Sequence, residues 1–388
     1  MVGYSWCNEM INLANGYART NTLILKKKKL KTPMLFLGQP IGGTPNPWEY
    51  FDLDGILLNA YHILQKPSIY RKIIEEKTLT NYLHAKQKTT IMLDSGGFLF
   101  QKKKELDIDC RKILELYHKI KPDIGVILDH PFSPLVKENE NIKLRWKSTL
   151  FNTKIMLSEK KDILIIPVIH GFSTDQLEKN WNNLKKILQE TNTFQDERLI
   201  IGIGSLVPLI MTSQGTVNGK NRIVDLVLKL RKLVPDAHIH AFGIGGTTTA
   251  LTMFYLGVDS LDSVSWRLKA AKGAIQLPGT SDRFISPPTG RQGLKKSDEI
   301  LLEECDCPIC INKTLSERRY LLGPDAHSNF ENRAIHNAWV YQKEVEHCRI
   351  EISSNNFEEF IHKRLKNSLM KSMFRYAVSI IKNKKLEI

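Results

Sequence analysis

Residues 90–129 read TIMLDSGGFLFQKKKELDIDCRKILELYHKIKPDIGVILD. An apolar run, Thr90–Asp94, opens the stretch, an amphipathic segment, Lys104–Ile120, follows, and a second apolar run, Ile124–Asp129, closes it. Runs this short and this continuously apolar fit strands buried on both faces. Strand, helix and strand in that order predict two parallel strands joined by a crossover.

Working outward, the same unit recurs. Met34–Gly38 and Gly55–Asn59 precede it, and Ile163–His170, Leu199–Gly204, His238–Gly243 and Val258–Asp262 follow. Helical patterns separate them at Ser68–Ala85, Lys137–Lys160, Thr174–Glu190 and Asn221–Val234. Eight strands alternating with helices predict an α/β fold closed into a (β/α)8 TIM barrel over residues 18–276, with an open doubly wound sheet as the competitor. The lysine run Lys26–Lys29 reads as a solvated turn between early strands. Residues 277–298 are rich in Pro, Gly, Ser and basic side chains and read as a linker. Residues 277–350 are read as linker and metal-binding subdomain and 351–388 as a helical tail, with helical segments from about Asn329 to Val345 and from about Asn356 to Lys384. The tail is free, on sequence alone, to pack on the barrel, pair with a second copy or touch nucleic acid.

Lys and Arg number 56 against 41 Asp and Glu, a net charge of +15. That surplus favours a polyanionic partner. The candidate backbone-contacting residues are Arg267, Lys269, Lys272, Arg291, Lys295 and Lys296, with Lys26–Lys31, Lys102–Lys104 and Arg318–Arg319 as further basic segments. No apolar run approaches the roughly 20 residues that span a bilayer, and the N-terminus lacks a basic-then-apolar leader pattern. A cytoplasmic protein without membrane association is expected, and its six cysteines are not expected to form a disulfide framework.

A barrel places its chemistry where strands end. Those ends carry Asn59, then Asp94-Ser95-Gly96-Gly97-Phe98, Asp129, His170, Gly204-Ser205, Phe242-Gly243, and Asp259 with Asp262. Carboxylates Asp94, Asp129 and Asp262 around one pocket suit glycosidic chemistry, one attacking the anomeric carbon and another moving a proton. A lone strand-end Asp is more often a helix cap; three together reverse that preference. Gly96-Gly97 lets backbone approach a ligand, and Phe98 offers a face on which a base can stack. Phe242 reads equally as a second stacking wall or as core. Cys305-x-Cys307-x-x-Cys310 gathers three thiolates, and tetrahedral zinc needs a fourth ligand, for which His336, at the expected start of a helix, and His327 compete. With no open position implied, the metal is expected to be structural.

These residues resemble the tRNA-guanine transglycosylase superfamily over about Ala18 to Val345. The resemblance rests on Asp94-Ser95-Gly96-Gly97-Phe98, the three cysteines with His336, Leu58-Asn59-Ala60-Tyr61-His62, Gly204-Ser205-Leu206-Val207-Pro208-Leu209, and Gly257-Val258-Asp259-x-x-Asp262. It implies Asp262 as nucleophile, Asp94 as general acid and base, and Asp129 as reader of the base edge. It also implies Gly204 and Ser205 as lining of the base pocket, and Cys305, Cys307, Cys310 and His336 as zinc ligands. Leu99 stands where the family usually has Gln, and His170 replaces the fifth-strand glutamine. The eighth strand continues Ser263-Val264-Ser265-Trp266-Arg267, and no archaeal-type RNA-binding tail is expected after the metal-binding segment. The pattern resembles the DNA-modifying branch, which inserts 7-cyano-7-deazaguanine into DNA. The resemblance therefore implies DNA and a 7-deazaguanine base as substrates, helper proteins of a DNA-modification system, and no nucleotide cofactor. Base exchange in tRNA and base excision without replacement are the alternatives.

Overall fold

The computed structural model describes residues 14–25, 28–101, 108–131, 139–211, 217–325 and 327–383. Lys26, the segment Lys102–Lys104, the start of the helical stretch assigned to Lys137–Lys160, and Lys384 at the end of the tail lie outside the described residues.

Two short strands, β1 (Asn21–Leu25) and β2 (Lys28–Thr32), form an antiparallel hairpin. Nine parallel strands follow: β3 (Met34–Gly38), β4 (Gly55–Asn59), β5 (Thr90–Asp94), β6 (Ile124–Val126), β7 (Leu164–Ile166), β8 (Val168–Ile169), β9 (Ile200–Ile203), β10 (His238–Ala241) and β11 (Ser260–Ser263). Their order in space is β7-β6-β5-β4-β3-β11-β10-β9-β8. The two edges of this sheet are therefore the two halves of one expected strand, Ile163–His170, and the sheet closes into a barrel. Pro167 divides that strand, because its nitrogen has no hydrogen to give to a ladder. The first half pairs with β6 and the second with β9, and the Pro167 carbonyl accepts from Gly202 N–H at 2.9 Å.

Helices Cys110–Ile120, Asn139–Glu159, Thr174–Glu190 and Val217–Leu233 cover the outside. The expected helix Ser68–Ala85 is instead two, Pro67–Glu75 and Leu79–Tyr82. Lys77 takes a left-handed φ of 66°, and the Thr78 side chain caps the second helix by accepting from Asn81 N–H.

The hairpin covers the N-terminal end of the barrel. Leu23, Leu25 and Leu30 join the core, and Lys28 Nζ donates to Asp123 Oδ2 at 2.6 Å and to the Thr89 carbonyl at 2.7 Å, both just ahead of β6 and β5. Asn59 and Asp94 end their strands at the opposite, C-terminal end.

Beyond β11 come helices Ser265–Ala271, Lys296–Glu303, Leu315–Leu322 and the 25-residue Asn329–Ser353, then Phe357–Arg364 and Lys371–Asn383. Of the three roles open to the tail, packing on the barrel is the one observed: Tyr376 Oη donates to Asp225 Oδ1 at 3.0 Å, and Tyr255 Oη to Glu358 Oε2 at 2.7 Å. Among the described residues no helix is long and apolar enough to cross a membrane, and the described cysteines are free thiols.

Candidate active site and metal centre

At the C-terminal ends of the strands the backbone itself assembles an acidic cluster. Asn59 and Asp94 are register partners on β4 and β5. The Asn59 side chain bridges two jobs: Nδ2 donates to Asp94 Oδ2 at 3.1 Å, while Oδ1 accepts from His62 N–H at 3.0 Å and so caps the next helix. Gly96, at φ +95°, turns its N–H back onto Asp94 Oδ2 at 3.2 Å. Ser95 is buried, and its hydroxyl donates to the Ile127 carbonyl at 2.9 Å, which ties the loop to the segment leading to Asp129. Gly97 lies flat on Asp129: a Cβ there would stand 2.1 Å from Asp129 Oδ1, so only glycine fits. Asp129 is placed in turn by its neighbours. His130 N–H donates to Thr149 Oγ1 at 2.9 Å, and Asn152 Nδ2 to the Leu128 carbonyl at 2.8 Å.

His170 is fully buried between Asp129 and Ser205. Its Nε2 is 2.9 Å from Asp129 Oδ2 and its Nδ1 is 3.0 Å from Ser205 Oγ. Gly204 packs on the ring, since a Cβ there would fall 2.5 Å from His170 Cε1. Asp262, at the end of β11, accepts from Gly243 N–H through Oδ1 at 2.7 Å. Phe98 is 45% exposed, a free face at the rim. Phe242 is half-buried, its ring 4.4 Å from that of His240.

The three carboxylates sense one another. Burial, with the charges of Asp129 and Asp262, pushes the Asp94 carboxyl up to about 8. Among the described residues no lysine or arginine pairs with any of the three; their only ion-pair partners are His170 and His240. Uncompensated like charges in a partly buried site are what keep one of a set protonated near neutrality. Such a cluster offers a proton donor beside a carboxylate nucleophile. Asp259 does not join it: it lies ahead of β11, at the far end of the barrel, bound to Arg19 and Arg231.

Two participants escape the sequence reading. His240, inside β10, faces Asp262 Oδ1 at 3.3 Å, and Ser260 Oγ faces His240 Nδ1 at 2.8 Å. A histidine inside an apolar run reads as core; only the register of β10 against β11 exposes its position.

The cysteine cluster is formed as spaced. Cys305, Cys307 and Cys310 place their sulfurs 3.5, 3.5 and 3.6 Å from His336 Nδ1, and the four ligand atoms all lie within 4.8 Å of one another. A tetrahedron with Zn–S of about 2.3 Å and Zn–N of about 2.05 Å has S···N edges of ~3.5 Å, so the set fits zinc. His336 Nε2 lies 2.9 Å from the Gln276 carbonyl, which fixes the tautomer and leaves Nδ1 for a metal. His336 sits about two turns inside Asn329–Ser353, not at its start. His327 is exposed and outside the cluster.

A family model described as queuine tRNA-ribosyltransferase matches residues 14–369. The chain belongs to that family. Curated relatives named tRNA-guanine(15) transglycosylase include the protein of Pyrococcus abyssi, 27% identical with 92% of this chain and 56% of the relative covered. Those of Archaeoglobus fulgidus (25% identical; 81% and 59% covered) and Methanocaldococcus jannaschii (24%; 90% and 50%) are further examples. The chain thus spans about half the length of the curated relatives it matches. These relatives carry the name of a tRNA enzyme. They support the superfamily, and not the narrower DNA-modifying branch that the pattern of departures at Leu99, His170, the eighth strand and the tail resembles.

The basic residues of this transferase-family chain divide in two. Lys272, Arg291, Lys295 and Lys296 are exposed and form no ion pair among the described residues. Lys269 is instead ion-paired with Asp282 at 2.9 Å and donates to Gln276 Oε1 at 2.9 Å. Arg267 donates to the Thr44 carbonyl and lies over the Phe330 ring at 5.0 Å. Arg318 is buried among the carbonyls of Leu302, Glu303 and Lys313, and Arg319 pairs with Glu299.

Proposed function

We propose that this chain is a guanine transglycosylase that exchanges a guanine in tRNA for a 7-deazaguanine base through a covalent sugar–aspartate intermediate. The observation that carries the reading is the acidic cluster, in which Asp94 retains a proton because it is buried and because Asp129 and Asp262 crowd it. The names of the relatives favour tRNA over DNA.

The target guanosine is flipped out of its stack into the mouth and lies against Phe98, with Phe242 opposite. Asp129, held by His170, accepts from the guanine N1–H and exocyclic amine. Asp262 attacks C1′ as the C1′–N9 bond breaks, and Asp94 gives its proton to the departing base. The incoming base loses its N9 proton to Asp94, N9 attacks C1′, and the sugar–Asp262 bond breaks. One N-glycosidic bond replaces another, so no nucleotide cofactor is needed. Cys305, Cys307, Cys310 and His336 hold a structural zinc that fixes the segment after the barrel. Arg291, Lys295 and Lys296 supply cationic side chains for the phosphate backbone. The barrel, 18–276, carries the chemistry, 277–350 the metal, and the described part of the 351–388 tail braces the barrel.

The test is incubation of the protein with radiolabelled guanine and, separately, bulk tRNA or duplex DNA. Label is expected in tRNA. Label in DNA alone overturns the tRNA assignment but keeps base exchange; abasic sites without incorporated label overturn exchange in favour of excision.

A further inference from the structure

We infer that His240 is a positioning residue that selects the attacking oxygen of Asp262 and steadies that carboxylate when it leaves. This rests on Asp262 being the nucleophile, as proposed above. The two oxygens of Asp262 differ sharply in their surroundings. Oδ1 accepts from Gly243 N–H at 2.7 Å and faces His240 Nε2 at 3.3 Å. Oδ2 has no hydrogen-bond or ion-pair partner among the described residues. The anchored oxygen holds the group, and the unengaged one is left to react.

His240 cannot easily turn away. It is fully buried, and its ring is wedged edge-on between Phe36 and Phe242, with centroids 5.8 and 4.4 Å away. Ser260 is its register partner on β11 and lies two residues before Asp262, so both side chains emerge on the same face of the strand. With the Ser260 hydroxyl donating to Nδ1, Nε2 carries a hydrogen toward Asp262. The opposite tautomer would set a nitrogen lone pair against a carboxylate oxygen.

A donor aimed at Oδ1 favours the free carboxylate over the sugar ester, because hydrogen bonds to a charged acceptor are about twice as strong as those to a neutral one. In the first half-reaction the C1′–Oδ2 bond forms as C1′–N9 breaks and Asp94 protonates the leaving base. In the second, the C1′–Oδ2 electron pair returns to Asp262 as N9 of the incoming base bonds C1′ and its proton passes to Asp94. His240 and Gly243 N–H receive the charge that reappears on Asp262. Without His240, the ester should persist.

The experiment compares wild type, His240→Leu, His240→Gln and Ser260→Ala, using the nucleic acid that accepts label in the exchange assay and measuring the adduct on denaturing gels. In His240→Leu, which fills the space without a donor, breakdown of pre-formed adduct by added guanine is expected to slow at least tenfold. The trapped fraction is expected to rise severalfold, with the KM for guanine little changed. His240→Gln, which restores an N–H near the place of Nε2, should recover most of the rate. Ser260→Ala should shift breakdown in the same direction by a smaller factor. Wild-type breakdown in a folded His240→Leu protein overturns the inference, as does a glutamine variant no better than the leucine one. If His240→Leu does not fold, wild-type breakdown in Ser260→Ala overturns it. Absence of any adduct from the wild type defeats the nucleophile assignment itself, a distinguishable failure.

Discussion

Asp259 and Asp262 are near neighbours in the chain and live at opposite ends of the barrel under opposite rules. Asp259 is 1% exposed and fully compensated: Arg19 Nε at 2.9 Å, Arg231 Nη2 at 2.6 Å and Ile239 N–H at 2.8 Å all donate to it. Burial alone would raise its pKa, but the two guanidinium groups hold it below the usual carboxylate range. Asp262 shares its end with Asp94 and Asp129, where among the described residues no lysine or arginine pairs with a carboxylate and burial, with the charges of the other two, drives Asp94 upward instead. Among the described residues, cations pair with the carboxylate that ties the N-terminal end together and not with the three at the C-terminal end. The contrast separates Asp259 from the acidic cluster more clearly than strand position does.

The sharpest way to break this comparison is to neutralise both ends. Asp262→Asn is expected to lower exchange by about a thousandfold or more and to abolish the trapped adduct, with melting temperature shifted by only a few degrees. Asp259→Asn should do the reverse. It strands Arg231 and Arg19 beside a neutral group, at a cost of about 3–5 kcal/mol in denaturant unfolding, while exchange per folded molecule stays within about twofold. Both variants losing activity with unchanged stability would erase the distinction.

Asp94→Asn comes next in size. Release of labelled guanine in a single turnover should slow by about a hundredfold to ten-thousandfold with nucleic-acid binding nearly intact. In the wild type, release should fall as pH rises through about 8, since the donor is then spent. Stability follows the same group. Its folded pKa lies above the ordinary value of 3.8, so the native state binds the extra proton between those limits, and wild-type stability declines as pH rises through that window. Asp94→Asn removes the decline. Thermal scans at pH 5 and 9 should therefore show the variant gaining on wild type at the higher pH, and an equal gap at both would argue against a raised Asp94. The smallest effect on chemistry is expected from Cys307→Ser, which should lose metal by elemental analysis and lower the melting temperature while the remaining folded protein still forms adduct at low temperature.

The barrel was legible because each of its eight staves is an apolar run, a pattern that survives without knowledge of neighbours. Strand ends were less so. The run Val258–Asp262 suggested that Asp259 and Asp262 both stand at one mouth; the strand is Ser260–Ser263, which leaves Asp259 ahead of it at the other end. The run Ile163–His170 reads as one strand, and only the closed sheet shows that Pro167 divides it into two halves serving different neighbours. Asp94, Asp129 and the cysteine cluster were visible through spacing and residue type. His240 was not, since its meaning depends on a partner two strand positions from Asp262 on the adjacent stave. Lys269 and Arg318 looked like free positive charge and are structural fasteners, a fate that charge counting cannot foresee.

The long helix Asn329–Ser353 gives the metal centre a reach beyond its own segment. At ~1.5 Å per residue its 25 residues make a rod of ~37 Å. His336 is clamped at one stretch, and Gln342 and Arg349 are fastened further along to Asp54 and the Pro33 carbonyl, just ahead of β4 and β3. The helix thus behaves like a strut pinned at both places: loosening the thiolate pin leaves its near end to the bonds of Arg333 and Asn337 with the carbonyls of Ala270, Trp266 and Ala274, while its far end stays tied to the rim of the barrel farthest from the acidic mouth.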